Sequence, residues 1–272
     1  MIVEAGRRMA AIALSSGLLW LCSCSDRPAE ERSAVAPVAG AGGEAGYFVD
    51  ASFLDSFCVG SGVNYPIVTD ERTIDGSNPA PADSTILRLH RGAFADALET
   101  YARKFLGEIG LREIVQCRRL SVDGTACYAF SDVEHGRLFI NLDLGAPDAF
   151  LKRTLHHEVF HFVDFAEDGR LDEDRSWSAL NPPSFLYGAG GGSLQNDAEA
   201  GRPDESLVGF VDRYAMSGLA EDKAEVYASL VFDGSWMARR ASVDPILSRK
   251  MGLIRASLRR FGPSAPILPG NR

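Results

Sequence analysis

Two histidines and a glutamate set the chemistry this chain can do: His157-Glu158-Val159-Phe160-His161. On a helix, residues four apart lie on one face about 6 Å apart along the axis, so His157 and His161 form a pair with Glu158 beside them. Two neutral imidazoles suit Zn²⁺, and a catalytic zinc site keeps one position open for water. The neighbouring carboxylate can take that water's proton as it attacks a carbonyl. Three of the five histidines fall within residues 156–161. His156 points about 100° away from the ligand face and reads as structural, while His90 and His135 sit outside any cluster.

The elements around the motif must position it and complete its ligand set. Pro147-Asp148 is a plausible helix start, and the helix runs through Leu151, Leu155 and His157 to about Phe165. Asp164, one turn beyond His161, fits either a helix-end acceptor or a support for the ligands. Downstream, Ser217 is a reasonable N-cap, and Glu221 and Asp222 fall in the first turn, where the helix dipole favours acids. Glu221 and Glu225 share one face, and small Ala224 and Ala228 let this helix approach the motif helix closely. By spacing alone the two glutamates fit a third metal ligand or a solvated acidic face, and Tyr214 fits a core or surface aromatic.

His157-Glu158-x-x-His161-x-x-Asp164, followed by Tyr214, six residues, then Glu221-x-x-x-Glu225, resembles the gluzincin branch of zinc metallopeptidases typified by the anthrax lethal factor catalytic domain. The chain is also similar to bacterial lipoproteins described as zinc-binding metallopeptidases, through Trp177-Ser178-Ala179-Leu180-Asn181-Pro182 and Glu221-Asp222-Lys223-Ala224-Glu225. The resemblance covers roughly residues 85–262. It implies a zinc peptidase with one Zn²⁺ per chain held by His157, His161 and Glu221. It further implies Glu158 as general base, Tyr214 as donor to the oxyanion, and Glu225 and Asp164 behind the ligands. The implied fold is α+β and zincin-like: a small mixed sheet and active-site helix in an upper lobe, and a mainly helical lower lobe. Spacing from Tyr214 favours Glu221 over Glu225 as the metal contact.

The order of elements before the motif agrees with that expectation. Phe94, Leu98, Tyr101 and Phe105 recur at helical spacing over about 92–106. Residues 114–122 and 127–130 read as strands around Asp123-Gly124, and 138–142 as another. An Asp-Gly turn sets Leu120 opposite Cys127, so a Cys117–Cys127 bridge needs a wider loop or a bulge. In zincins an edge strand binds the extended substrate, and 138–142 is the candidate for it. Between the motif helices, 177–187 is aromatic and proline-rich and is followed by a glycine run. Trp177, Phe185 and Tyr187 either line a cleft or pack against the motif helix. Ile246, Met251, Ile254 and Leu258 mark a closing helix whose Arg249, Lys250, Arg255, Arg259 and Arg260 read as a solvated face.

At 272 residues with 46% hydrophobic content, the chain can bury a full core. A formal charge of −9 with no basic run argues against nucleic acid as a partner. Arg7-Arg8, the apolar run after them and Leu21-Cys22-Ser23-Cys24 resemble a lipoprotein export signal over 1–23, with Cys24 as the lipidated residue. Residues 24–46 lack large apolar groups and read as a disordered tether, 47–84 as an irregular lead-in, 85–262 as the catalytic domain and 263–272 as a tail. The expected setting is therefore a membrane-anchored protein facing the periplasm or cell exterior, acting on a peptide or protein. There Cys58, Cys117 and Cys127 meet disulfide-permitting conditions, with an odd cysteine left over.

Overall fold

The computed structural model describes residues 58–59, 63–69, 72–143, 147–195, 197 and 199–268. The export signal, the tether and Cys24 lie outside the described residues.

A mixed sheet comes first. Its strands are β1 Cys58–Val59, β2 Ile67–Val68, β3 Thr73–Ser77, β4 Glu113–Val122, β5 Thr125–Ala126, β6 Ala129–Asp132 and β7 Arg137–Asn141. The order is β2-β3-β4-β7-β6, with β1 and β5 also paired to β4. β4 runs parallel to β7 and β1, and the other pairings are antiparallel. Strands β1 to β3 come from the stretch expected to be an irregular lead-in; instead they pair up and extend the sheet. Asp123 and Gly124 both have positive φ, 50° and 79°, the geometry of a two-residue hairpin turn. Cys127 N–H donates to the Leu120 carbonyl at 3.1 Å, the register that such a turn dictates. Cys117 and Cys127 are both buried and free.

The sheet is covered on both faces, and period-two alternation assigns its side chains to them. Ile114, Leu138 and Ile140 join the main core with the helices, while Val115, Cys117 and Phe139 join a smaller cluster with Ile74, Leu120 and Cys127. One expectation fails here. β7 lies between β4 and β6, so the strand at the edge is β6, not 138–142. A strand buried on both faces reads as a continuous apolar run, as Leu138-Phe139-Ile140 does, and such a run marks an interior strand.

The α-helices are α1 Ser84–Leu98, α2 Arg103–Glu108, α3 Asp148–Asp168, α4 Arg175–Ser178, α5 Leu219–Phe232, α6 Gly234–Val243 and α7 Pro245–Arg259. The helix expected over 92–106 is two helices. Phe94 and Leu98 belong to α1, Phe105 to α2, and Tyr101 to the turn between, yet all four are buried in one core. No strand follows α3 among the described residues, and no described helix is long and apolar enough to cross a membrane.

α3 and α5 make the most extensive helix–helix packing. Ala224 and Ala228 are fully buried on α5, the small surface that close approach needs. α3 ends at Gly169, whose φ of 76° allows the left-handed turn that stops the helix. The cap of α5 is Gly218 in extended conformation, not Ser217, which lies in the preceding 3-10 turn and donates its hydroxyl to the Tyr214 carbonyl at 2.7 Å. Part of the expected tail also packs in: Leu268 is buried in the main core.

Lys250 overturns the reading of α7's basic residues as a solvated face. It is fully buried, with Nζ 2.6 Å from Asp222 Oδ2, 2.7 Å from the Gly209 carbonyl and 4.0 Å from the centre of the Phe210 ring. Trp177 Nε1 and the Tyr187 hydroxyl also donate to Asp222 Oδ2, at 2.9 and 2.6 Å. Burial pushes Lys250 down and Asp222 up, so these contacts are what hold charge in the interior. The 177–187 aromatics thus anchor to α5 and α7; the Phe185 ring lies tilted against Phe210, centres 4.5 Å apart.

Candidate metal centre

α3 brings His157 and His161 to one face as the four-residue spacing dictates, and both are buried. Their Nε2 atoms lie 3.1 Å apart. Across from them α5 presents Glu221, whose Oε2 is 3.1 Å from His157 Nε2 and 3.9 Å from His161 Nε2. These residues can each offer one ligand atom to a single ion. A tetrahedral zinc with bonds near 2.0–2.1 Å separates its donor atoms by roughly 3.3 Å, close to this spacing. Glu221 Oε2 is buried and accepts no hydrogen bond among the described residues, so it can face a cation.

Charge around the cluster points the same way. Burial opposes a positive charge on His157, yet Glu221 and Glu225 at its two nitrogens raise its pKa well above the ordinary value. Burial and the adjacent His157 push His161 down to about 4. The pocket therefore stabilises one positive charge among its carboxylates. His157, His161 and Glu221 fit a zinc ion by donor type, spacing and field.

Glu225 sits on the other side of His157, its Oε1 2.9 Å from Nδ1, and so stands behind the imidazole rather than at the ligand face. The contact is at ion-pair distance. His161 Nδ1 has no hydrogen-bond partner among the described residues. Asp164 is engaged by a lysine: its Oδ1 pairs with Lys223 Nζ at 2.8 Å, and Lys223 also reaches Asp174 at 3.0 Å. His156, as its direction implies, is structural, with Nδ1 2.7 Å from the Tyr101 hydroxyl.

Glu158 is buried, and burial pushes its carboxyl up to about 7, with His157 and Ser131 pulling the other way. That is a useful range for a base operating near neutral pH. Ser131 Oγ, on edge strand β6, is 2.6 Å from Glu158 Oε2. Tyr214 lies against His157, ring centres 5.9 Å apart, and burial with Glu221 and Glu158 keeps its hydroxyl protonated well beyond the ordinary range. Gln195 Nε2 donates to that hydroxyl at 3.2 Å.

Residues 188–195 lie along this side of the cluster. The Gly188 and Gly190 amides donate to the carbonyls of Met216 and Ser217 at 3.1 and 2.7 Å. A Cβ on Gly191 would come within 2.3 Å of the Tyr214 hydroxyl and 2.6 Å of Glu221 Oε1. Any larger residue there would displace one of these two side chains. Ser131, Gln195 and Gly191 were not singled out from the sequence. The glycine run was visible but carried no sign of what it packs against, and a lone Ser or Gln carries no motif.

No protein-family model, no curated protein and no solved structure matches the chain. The mixed α+β architecture and the geometry of this cluster stand on their own.

Proposed function

We propose that the chain is a zinc peptidase of zincin fold and gluzincin type, cleaving peptide bonds of an extracytoplasmic protein or peptide. The observation that supports it is the convergence of His157 Nε2, His161 Nε2 and Glu221 Oε2 on one point, with Glu158 and Tyr214 beside them. These three residues would hold the ion, which when bound supplies Lewis acidity and lowers the pKa of water. Glu158 accepts the proton as water attacks the carbonyl and passes it to the leaving nitrogen. Tyr214, holding its proton, donates a hydrogen bond to the developing oxyanion. Strand β6, which ends the strand order among the described residues, is the candidate to pair with an extended substrate, and Ser131 joins that strand to Glu158. In this reading α3 and the sheet form the upper lobe and the helices after α3 the lower one. Lipidation at Cys24 holds the enzyme on a membrane outside the cytoplasm.

Metal content of the purified chain, with cleavage of a mixed peptide library on the same samples, tests the proposal. One zinc per chain and cleavage abolished by Glu158→Gln support it; no zinc under metal-replete conditions overturns it. A second reading, a lipid-anchored binding or scaffold protein with this fold and zinc site but no turnover, draws on the packing of residues 188–195 over Tyr214 and Glu221. Zinc without cleavage of any library peptide favours it.

A further inference from the structure

Arg153 lies one helical turn before His157 on α3, and its side chain is only 17% exposed. A guanidinium taken out of water costs several kcal/mol unless it is paired and hydrogen-bonded. Here it is paired twice. Nη2 contacts the Glu225 carboxylate directly and lies 3.0 Å from Asp212 Oδ2 and 3.4 Å from Ser229 Oγ, while Nη1 donates to the Gly201 carbonyl at 3.2 Å. Asp212 is fully buried, and its other oxygen accepts from the Ala215 amide at 2.8 Å, closing the turn that carries Tyr214. Glu225 spends its second oxygen on Nδ1 of His157. A continuous chain of contacts therefore runs Asp212–Arg153–Glu225–His157.

We infer that Arg153, clamped by Asp212, is a positioning residue for the metal centre: it fixes Glu225 so that Glu225 turns Nδ1 of His157 toward itself and Nε2 toward His161 and Glu221. The inference rests on the zinc reading above. Glu225 alone has rotamers that swing it away from α3. Arg153 removes that freedom from the same helix that carries His157, so the ring and its support cannot drift apart. Asp212 extends the hold to the turn bearing Tyr214, joining the oxyanion donor and the ligand histidine through one guanidinium. Partners behind a ligand histidine typically change metal affinity 10–100-fold when removed.

Zinc affinity by chelator competition, measured on the purified full chain, tests this for Arg153→Gln, Arg153→Lys and Asp212→Asn, with the visible spectrum of the Co²⁺-substituted protein and far-UV circular dichroism recorded alongside. The expected result is a roughly 10–100-fold weaker affinity in Arg153→Gln. It comes with an altered Co²⁺ spectrum, helical signal kept, and a smaller loss in Arg153→Lys and Asp212→Asn. Wild-type affinity and spectrum in both Arg153→Gln and Asp212→Asn overturn the inference and leave the zinc reading intact. Loss of the helical signal in both makes the cluster a fold staple and overturns it too. A wild-type chain that takes up no zinc sinks the zinc reading and this inference together.

Discussion

The hydroxyl of Ser131 lies 2.6 Å from Oε2 of Glu158. The residue that would act as base is thus held by β6, the last strand in the order of the described sheet. Hydrogen bonds to a charged group contribute about 1.5–3 kcal/mol. Ser131→Ala is expected to lower kcat/KM by roughly tenfold or more on that scale, with zinc content unchanged. Steady-state cleavage and metal analysis on one preparation check it, and an unchanged rate would remove Ser131 from the site.

At Gly191 the prediction is steric. Gly191→Ala places a methyl where Tyr214 and Glu221 already stand, so one of them must shift. The expected outcome is loss of most cleavage together with weakened zinc binding, while the melting temperature of the zinc-free protein changes little. Gly192→Ala, with open space around its Cβ, serves as the neutral control.

Lys250→Met leaves Asp222 in the interior without its cation. Removing one partner of a buried pair costs about 3–5 kcal/mol. Trp177 and Tyr187 still donate to Asp222, which places the expected loss near the lower end, about 3 kcal/mol. Urea denaturation measures it. A variant as stable as the parent would show that the pair contributes specificity rather than stability.

Acid sensitivity has a traceable source at His90. It is buried beside Phe94, its Nδ1 has no hydrogen-bond partner among the described residues, and burial lowers its pKa despite the opposing effect of Asp148. Above about pH 6.5 both folded and unfolded chains leave it neutral, so it contributes nothing to pH dependence there. Below that, the unfolded chain takes up a proton that the folded chain resists, and stability falls with pH. His90→Leu is expected to flatten the loss between about pH 6.5 and 5 in thermal melts. An unaltered slope would assign the sensitivity to other groups.

The motif helix was legible because its information is local: the i, i+4 spacing of His157 and His161 places both rings on one face whatever the rest of the chain does. The hairpin at Asp123-Gly124 was legible for the same reason, since turn chemistry fixes its register. The place of the edge strand was not. Residues 127–130 read as a strand, but nothing in Ala129-Phe130-Ser131-Asp132 says that it borders the sheet, while Leu138-Phe139-Ile140, the candidate for the edge, lies in the interior. Lys250 and Arg153 were illegible in a stronger sense. Their charges are offset by Asp222, and by Asp212 and Glu225, residues distant in sequence that only the assembled fold brings within reach.

Gly191 puts main chain, not a side chain, against Tyr214 and Glu221. A wall of that kind has no substituent to exchange, so point substitution at Gly191 cannot trim the site; it can only push on it. More room at this point has to come from the length or path of the segment around Gly191, whereas Gln195, which meets Tyr214 with a side chain, remains open to single-residue change.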